Sequence, residues 1–331
     1  MRQHNQIGDM LCSLTLYLAL KKKYPEALIT LVAAKTNYEI PFFDINPYLD
    51  RVIIFDKSSL KTIIRFIKTL RDRKYQIGVV PSTIVLSRTS HIINLLSGAK
   101  YRIGVKSIDS NENNSHKYLN IKSDFFWKGK HQSIRNLEVI EQINCHLTKE
   151  EIDSIRMNLS GADVSFAKDF LSSTIPDKKR KIIAIHPGAG KEINIWAAKN
   201  FIELVKKLNN NYSIYILITS GWTDDRIVKP ICTSLQDEKI EYTILNNLPV
   251  KKLGAILSLV DLYITNDTGT MHIAGYSNAK MISLFGPTNP NEWASTGNNQ
   301  KYIKSADSNI NNITVNEVFL LAETFLSNTK S

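Results

Sequence analysis

The chain contains 331 residues, of which 43% are apolar and 22% are charged, and its formal net charge is +11. These values predict a folded, soluble protein of two domains and exclude an intrinsically disordered chain. No apolar run approaches the roughly 18 residues of a membrane span, and no signal peptide is recognisable. The positive charge predicts an anionic partner, such as nucleic acid, an acidic membrane face or a phosphorylated substrate.

The cysteine spacing argues against a zinc site, and the absence of nucleic-acid-binding motifs narrows the choice of anionic partner. Cys12, Cys145 and Cys232 lie far apart and lack CxxC spacing. Such isolated cysteines predict free thiols in a reducing cytosol and give no support to a structural zinc site. Nucleic acid is the less favoured partner, because the chain has neither zinc-finger spacing nor an aromatic RNA-binding motif.

The amino-terminal stretch "NQIGDML", residues 5–11, predicts a sharp turn at Gly8 and a helix that Asp9 caps and that stops at Tyr24-Pro25. A helix of this kind normally follows a strand, yet only eight mostly polar residues precede Asp9. The first strand of a doubly wound sheet is usually central. We therefore expect the true start several codons upstream, encoding an apolar strand of about five residues.

Short apolar runs alternate with helix-period segments in the first half of the chain. In the stretch 57–74, Lys57, Lys61 and Arg65 follow helical spacing and form a basic stripe. This stripe is either a solvated helix face or a patch that attracts anionic lipid or saccharide. The predicted strands of this half are 27–33, 51–55, 76–80 and 101–105, and the predicted helices are 10–23, 58–73 and 88–97.

The same alternation returns after a less regular middle segment. It predicts parallel, doubly wound α/β architecture with two Rossmann-like domains, at 1–176 and 177–331. Thr314 and Glu317 make a capping box for the last helix, which we hypothesise packs back on the first domain. The predicted strands here are 181–186, 213–219, 241–245, 261–265 and 280–285, and the predicted helices are 197–209, 224–236 and 249–259.

Two polar loops, here called corners, follow predicted strands of the second half of the chain. In "IAIHPGAGKEINIW", residues 183–196, a glycine-rich loop with Lys191 lacks the spacing of a Walker motif, so it is either a phosphate-binding loop or a tight turn. In "TSGWTDD", residues 219–225, Ser220 and Gly221 mark a weaker corner. Ligands of open α/β sheets bind at the carboxyl ends of strands, which makes both corners candidates.

The third corner of this half, "YITNDTGTMHIAG" at 263–275, carries an Asp-Thr-Gly triplet. An acid protease needs a second such loop or a dimer in an all-β fold, which the strand–helix pattern excludes. Thr268, Gly269 and Thr270 instead open a helix whose free amides suit a phosphate, with His272 one turn on. The alternative is structural: Asp267 then merely caps the helix and His272 is a core residue.

The motifs "QIGDMLCSLTLYLALKKKYPEALITLV", "HPGAG…W…FIELVKKL", "ITNDTGTMHIAG" and "LFGPTNPNEW" together resemble glycosyltransferase family 9, the ADP-heptose:lipopolysaccharide heptosyltransferases. The resemblance runs along nearly the whole chain. It implies a GT-B fold, in which two Rossmann-like domains face each other across a cleft, with the donor in the carboxyl-terminal domain. It also implies inverting, metal-independent transfer of a sugar, heptose above all, from a nucleotide-diphosphate donor such as ADP-heptose, without a further cofactor.

The resemblance assigns roles to particular residues. Asp9 matches the base that activates the acceptor hydroxyl, beside an acceptor-side loop of Asn5, Gln6 and Gly8. Asp267 matches the residue that holds the donor sugar. Thr268, Gly269 and His272 match the helix start that binds the diphosphate. The predicted donor-binding positions also include Lys191, Asn194, Ser220, Gly221 and Thr270.

One position departs from the family pattern. Asn194 stands where the family has a phosphate-binding lysine, and Ala197 replaces the proline that follows the tryptophan. This departure puts neutralisation of the phosphate in doubt. Either Lys191 or Lys199 supplies the cation, or the donor is changed or the activity reduced.

The implied acceptor is an anionic, lipid-linked saccharide of the lipopolysaccharide core, met in the cytoplasm at the inner face of the inner membrane. A GT-B enzyme with another donor sugar or with epimerase activity is the alternative. A nucleotide-sugar-binding protein without catalysis is a third possibility.

Overall fold

The computed structural model describes residues 7–35, 41–175, 177–295 and 297–327. The chain divides into two compact units, Met1–Ile155 and Arg156–Ser331. The first unit contains strands β1 (Thr30–Ala34), β2 (Arg51–Phe55), β3 (Ile77–Val80), β4 (Tyr101–Ile108), β5 (Asn111–Glu112) and β6 (Ile121–Phe125), and helices α1 (Ile7–Cys12), α2 (Leu14–Lys23), α3 (Phe42–Ile45), α4 (Leu60–Leu70), α5 (Arg88–Leu96), α6 (Gln132–Glu141) and α7 (Lys149–Ser154).

The second unit alternates helices and strands from end to end, as predicted. In chain order they are α8 (Gly161–Thr174), β7 (Lys181–His186), α9 (Ala198–Asn211), β8 (Ile214–Ser220), α10 (Asp225–Asp237), β9 (Tyr242–Asn246), α11 (Val250–Leu257), β10 (Leu262–Asn266), α12 (Gly269–Tyr276), β11 (Met281–Phe285), α13 (Pro290–Trp293), β12 (Gln300–Lys304) and α14 (Val315–Leu326).

The strands of the second unit form one six-stranded sheet in the order β12-β11-β10-β7-β8-β9, and each neighbouring pair is parallel. This is the order of a doubly wound dinucleotide-type fold, in which successive strands are added outward in opposite directions from two central strands. Here those strands are β7 and β10. Both are covered on two faces, which explains why their sequences are nearly continuous apolar runs.

A pair of buried aromatic side chains joins α9 to the loop after β7. Trp196 and Phe201 are fully buried and meet edge to face, with ring centroids 4.9 Å apart. The indole nitrogen of Trp196 donates to the carbonyl of Ile313, 3.0 Å away. Trp196 therefore joins the loop after β7 to the segment before α14. Its burial carries little desolvation penalty, because its only side-chain polar group has a hydrogen-bond partner.

The first unit holds two separate groups of strands. β1 pairs in parallel with β2, while β3 and β6 pair in parallel with β4, and β5 runs antiparallel to β4. Among the described residues, no pairing joins β1 to β3. Phe66 and Leu70 of α4 pack with Val32 of β1 and Ile53 of β2 in one core cluster.

The unit boundary lies earlier in the chain than the predicted 176/177 division. Residues after Ile155 already pack on the second unit: the amide of Met157 donates to the carbonyl of Tyr276, 2.8 Å away. On α8, the ring of Phe166 lies 4.4 Å from the ammonium of Lys252 on α11. The charged stretch before β7 is therefore a loop inside the second unit and not a linker.

The last helix belongs to the core of the second unit, and its predicted packing on the first domain stays a prediction. α14 packs on the sheet and on α9 of its own unit, with Val318 and Ala322 fully buried in that core. The predicted capping box at its start is present, because Thr314 and Glu317 exchange hydrogen bonds. Across the described segments, no helix is both long and apolar enough to traverse a bilayer.

Candidate functional site

The central point of the second unit is the gap between the carboxyl ends of β7 and β10. Asn266, the last residue of β10, is fully buried and donates its side-chain amide to the carbonyls of Pro187 and Gly188, at 2.8 and 3.2 Å. Its side-chain oxygen accepts from the amide of Trp196 at 3.2 Å. The glycine-rich loop after β7 is thus held against the end of β10, where ligands bind in this class of sheet.

The amino end of α12 opens at the same edge. Thr268 occupies the N-cap position in an extended conformation, and its side chain makes no capping hydrogen bond. A Cβ placed on Gly269 would meet no heavy atom within 4 Å, so the space above this turn is open. The first amides of the helix, with the positive end of its dipole, are therefore available to an anion.

Asp267 links this helix start to the loop after β7. The side-chain amide of Asn194 donates to its carboxylate at 3.2 Å, and Thr288 donates a further hydrogen bond. Burial raises the pKa of Asp267, while the hydrogen bond from Thr288 and the charge of the exposed Lys191 act in the opposite direction. The predicted alternative, that Asp267 caps α12, is not observed, because Thr268 holds the N-cap position.

The raised pKa of Asp267 predicts a stability effect. An unfolded aspartate ionises near pH 3.9, so stability falls as the pH rises from about 3.9 through the higher folded-state value. Asp267→Asn removes this penalty, and we expect its melting temperature to exceed that of the native chain at pH 7. The difference should shrink as the pH falls towards about 4.

The control for this measurement is Asp237→Asn, which changes an exposed carboxylate at the end of α10. Its melting temperature should follow that of the native protein at each pH. If Asp267→Asn melted below the native chain at pH 7, the hydrogen bonds to the carboxylate would outweigh its burial.

Asn194 occupies an unusual place in this group. It is 8% exposed, and its side-chain oxygen has no hydrogen-bond partner among the described residues. Buried polar atoms are normally satisfied, so an orphaned, solvent-inaccessible acceptor at this position is unusual. Lys191, which immediately precedes the short 3-10 turn Glu192–Asn194, contributes the nearby positive charge.

The other two predicted residues of α12 point into the protein. The hydroxyl of Thr270 accepts from Tyr263 at 2.8 Å. His272 is 5% exposed and its ring lies edge to face with Trp293, with centroids 6.2 Å apart. The structure thus places Thr268 and Gly269 at the open end of the helix and His272 among packed side chains.

The weaker corner after β8 contains a buried acid–histidine pair. The amide of Gly221 donates to the carboxylate of Asp224 at 2.6 Å, and His186 lies 4.0 Å from the same carboxylate. Burial lowers the pKa of His186, although Asp224 and Thr219 favour its charged form. The predicted residue Ser220 instead contacts Asn246 at the end of β9, 3.3 Å away.

In the first unit, the predicted turn and cap at the amino terminus are wrong in detail. α1 begins at Ile7, so Gly8 is helical and Asp9 lies within the first turn, 8% exposed. The predicted single helix is interrupted at Ser13, whose hydroxyl donates to the carbonyl of Met10 at 2.7 Å. Such back-bonding bends helices. The predicted loop residues Asn5 and Gln6 lie outside the described residues.

Sequence reasoning missed three polar residues of the second unit's site. Asn266, Thr288 and Asp224 reach the loops only through tertiary contacts, so periodicity could not identify them. The quoted motifs "ITNDTGTMHIAG" and "LFGPTNPNEW" contain the first two, the quoted stretch "TSGWTDD" contains Asp224, and these were the available signals. Within the described ranges, no group of three or more histidine, cysteine or acidic side chains is arranged to hold a metal.

Comparison with known proteins agrees with this arrangement. The model of a family described as glycosyltransferase family 9 (heptosyltransferase) matches residues 63–319. Lipooligosaccharide heptosyltransferase 2 of Campylobacter jejuni is 25% identical over 164 residues, which are 49% of this chain and 48% of that protein. Lipopolysaccharide heptosyltransferase 3 of Escherichia coli is 24% identical over 305 residues, 88% of this chain and 84% of that protein.

Among solved structures, the E. coli ADP-heptose lps heptosyltransferase II is 18% identical, with a TM-score of 0.79 over 100% of this chain and 98% of that one. This likeness confirms the predicted GT-B fold class. The match to the Campylobacter protein, in contrast, spans only about half of that relative's length.

Proposed function

Because the chain belongs to glycosyltransferase family 9, we propose that it transfers a sugar from a nucleotide-diphosphate donor to a saccharide acceptor. The curated relatives are named as lipopolysaccharide and lipooligosaccharide heptosyltransferases, which favours heptose as the sugar and the lipopolysaccharide core as the acceptor. The solved relative is named for ADP-heptose, and this favours ADP as the nucleotide.

The observation that carries the proposal is the uncapped start of α12. Its first amides, the open space above Gly269 and the nearby Lys191 charge suit a diphosphate, while the Asp267 carboxylate suits sugar hydroxyls. In this proposal Lys191 replaces the family's lysine as the source of positive charge.

The proposed reaction is an inverting displacement. Asp9 takes the proton of the acceptor hydroxyl, the acceptor oxygen forms a bond to the anomeric carbon, and the bond from that carbon to the diphosphate oxygen breaks. The departing diphosphate carries the negative charge, which the amides of α12 and Lys191 stabilise. Preorganised donors of this kind contribute roughly 2.7–4 kcal/mol each in comparable sites.

Metal independence gives a direct prediction. The sequence has no Asp-x-Asp motif, and the proposed neutralisation uses amides and a lysine. We therefore expect product formation to continue at an undiminished rate in excess EDTA. Complete loss of activity in EDTA, restored by Mg²⁺ alone, would contradict this mechanism.

The basic helix of the first unit suits an acceptor carried by anionic lipid. On α4, Lys61 and Arg65 are exposed beside Leu60 and Ile64, whose side chains are 73% and 47% exposed. Basic and apolar side chains together on one exposed helix are typical of interfacial binding. We propose a cytoplasmic enzyme that meets its acceptor at the inner face of the inner membrane.

The deciding experiment has two stages. A thermal-shift panel of nucleotide diphosphates and their sugars should show stabilisation by ADP-heptose, about 2.7 kcal/mol at 100 times its dissociation constant. Incubation with ADP-heptose and a heptose-deficient core oligosaccharide should then give a heptosylated product. Donor binding without product would indicate a binding protein, and a sugar product without acceptor would indicate an epimerase.

A further inference from the structure

A buried acid–histidine pair, His186 and Asp224, lies at the carboxyl edge of the second unit's sheet, and the proposed transfer step does not use it. His186 ends β7, and Asp224 occupies the N-cap position of α10. Their side chains are 6% and 10% exposed, and Nε2 of His186 lies 4.0 Å from a carboxylate oxygen of Asp224. Aspartate is rarely buried without a partner, so the nearby imidazole needs a physical explanation.

The contacts on the other side of the imidazole show where its hydrogen lies. Nδ1 of His186 is 3.0 Å from the carbonyl oxygen of Thr219 and 2.9 Å from its hydroxyl oxygen. That hydroxyl donates its own hydrogen to the carbonyl of Ile185 at 3.2 Å. Both Thr219 oxygens therefore accept, and Nδ1 carries the hydrogen. In the neutral ring, Nε2 is then an acceptor that faces a second acceptor, the Asp224 carboxylate.

The carboxylate is held in this position. The amide of Gly221 donates to one of its oxygens at 2.6 Å, and a Cβ on Gly188 would lie 2.2 Å from the other. Burial lowers the pKa of His186, so its ring is neutral at pH 7 in the free protein, although Asp224 favours the charged form. One proton on Nε2 would turn the two facing acceptors into a charge-assisted pair.

A chain of hydrogen bonds connects the pair to the start of α12. Thr219 lies within hydrogen-bonding reach of the buried Tyr263 hydroxyl, which donates to Thr270 at 2.8 Å. Thr270 is the second residue of α12, beside the amides that suit a diphosphate. Three bonds of about 3 Å place the imidazole within about 9 Å of this residue. Each negative charge about 10 Å away favours a protonated ring by roughly tenfold at an effective dielectric constant of about 20.

We propose that His186 takes up a proton from solvent when the donor diphosphate binds at the start of α12. The inference rests on the proposed function, because it requires an anionic donor at that site. The proton binds to Nε2, between the imidazole and the Asp224 carboxylate, and no bond between heavy atoms changes. The net charge of the pair thereby rises from −1 to zero. Proton uptake thus removes a negative charge near the diphosphate in a chain that has Asn194 in place of the family's lysine.

Other ionisable groups surround this pair. On β10, burial raises the pKa of Tyr263, which therefore stays neutral at physiological pH. The loops after β7 and β10, the start of α10 and the first turns of α12 carry Lys191, Glu192, Asp225, Arg226, Asp267 and His272. Because burial raises the pKa of Asp267, this carboxyl is a second group that can bind a proton together with the donor. The test has to separate His186 from Asp267.

The test is a calorimetric titration of the full chain with ADP-heptose, whose diphosphate has no group that titrates near neutral pH. Measurements in two buffers of different ionisation enthalpy give the number of protons bound per donor. A tenfold to hundredfold preference of the donor for the protonated pair corresponds to a maximal uptake of about 0.5–0.8 proton. The donor favours the protonated ring, so its dissociation constant should rise by about 10- to 100-fold as the pH increases from about 5 to 8.

Two variants remove the proposed proton in different ways. His186→Asn keeps an amide donor for Thr219 but cannot be protonated, so its dissociation constant should change little with pH. Asp224→Asn removes the negative charge and offers an amide hydrogen to Nε2. It should also lose the proton uptake, and above neutral pH it should bind the donor more tightly than the native chain. His146→Asn, at an exposed histidine of the first unit, is the matched control and should behave like the native chain.

The outcomes distinguish this inference from the proposed function. Binding of ADP-heptose without proton uptake in the native chain would overturn the inference and leave the donor assignment intact. Native uptake in His186→Asn would also overturn it, as would an uptake that disappears only in Asp267→Asn. Failure of ADP-heptose to bind at all would refute the donor assignment, and the inference would fail with it.

Discussion

Asp9→Asn should slow sugar transfer by about 10²–10⁴-fold, the usual contribution of a general base. Asparagine keeps the shape of the side chain but cannot take the proton of the acceptor hydroxyl. Asp9 lies in the first unit, on α1, whereas the proposed donor site lies in the second unit on α12. The mechanism proposes no contact between Asp9 and the nucleotide diphosphate, so the dissociation constant for the donor should remain unchanged.

The control is Asp153→Asn, which neutralises an exposed carboxylate on α7 of the same unit. Turnover and donor binding should both stay at the native level. Single-turnover kinetics with saturating donor and acceptor measure the chemical step. A native rate in Asp9→Asn would remove this residue from the mechanism, and a parallel loss of donor affinity would indicate a structural role instead.

Asp267→Ala should weaken binding of the complete nucleotide sugar by about 10- to 150-fold. A hydrogen bond to a charged group is worth roughly 1.5–3 kcal/mol, and the carboxylate is proposed to accept from the sugar hydroxyls. The same variant should bind the nucleotide diphosphate without its sugar as well as, or better than, the native chain. Removal of a negative charge beside the phosphate site can only favour an anion.

Calorimetric titration with both ligands separates these effects. Asp237→Ala, which removes an exposed carboxylate from α10, serves as the matched control and should bind both ligands normally. An equal loss of affinity for the sugar-free nucleotide would show that Asp267 maintains the shape of the site. No loss for either ligand would exclude this carboxylate from donor recognition.

The buried parallel strands were the most predictable part of the molecule. Strand β7 has its predicted bounds, 181–186, because a strand covered on both faces is an apolar run bounded by polar residues. β6 and β12 were missed for the opposite reason. Both are partly exposed, and their lysine and polar residues hide the period of a strand.

The prediction of the domain boundary was wrong for a related reason. The charged loop before β7 has the composition of a linker, but α8 ahead of it packs on α11, and Met157 before α8 donates a hydrogen bond to Tyr276 at the end of α12. Such contacts depend on residues about a hundred positions away. Local composition therefore could not predict these contacts.

The loops that follow the strands could be predicted as parts of the candidate site, but the contacts between these loops could not. The motif with Asp267, Thr268 and Gly269 identified the helix start, since glycine and a strand end are local signals. Two contacts follow only from the strand order. Thr288 donates a hydrogen bond to Asp267, and Asn266 donates one to the loop after β7. The family pattern indicated Asn194 as unusual, and its contact with Asp267 supplies the physical context.

The close approach of Gly188 and Asp224 has a consequence for the engineering of this fold. A Cβ on residue 188 would lie 2.2 Å from a carboxylate oxygen of Asp224, so a side chain and that carboxylate compete for one volume. The two loops are therefore linked at this one point. A chimera whose loop after β7 carries any residue other than glycine at position 188 must also replace Asp224.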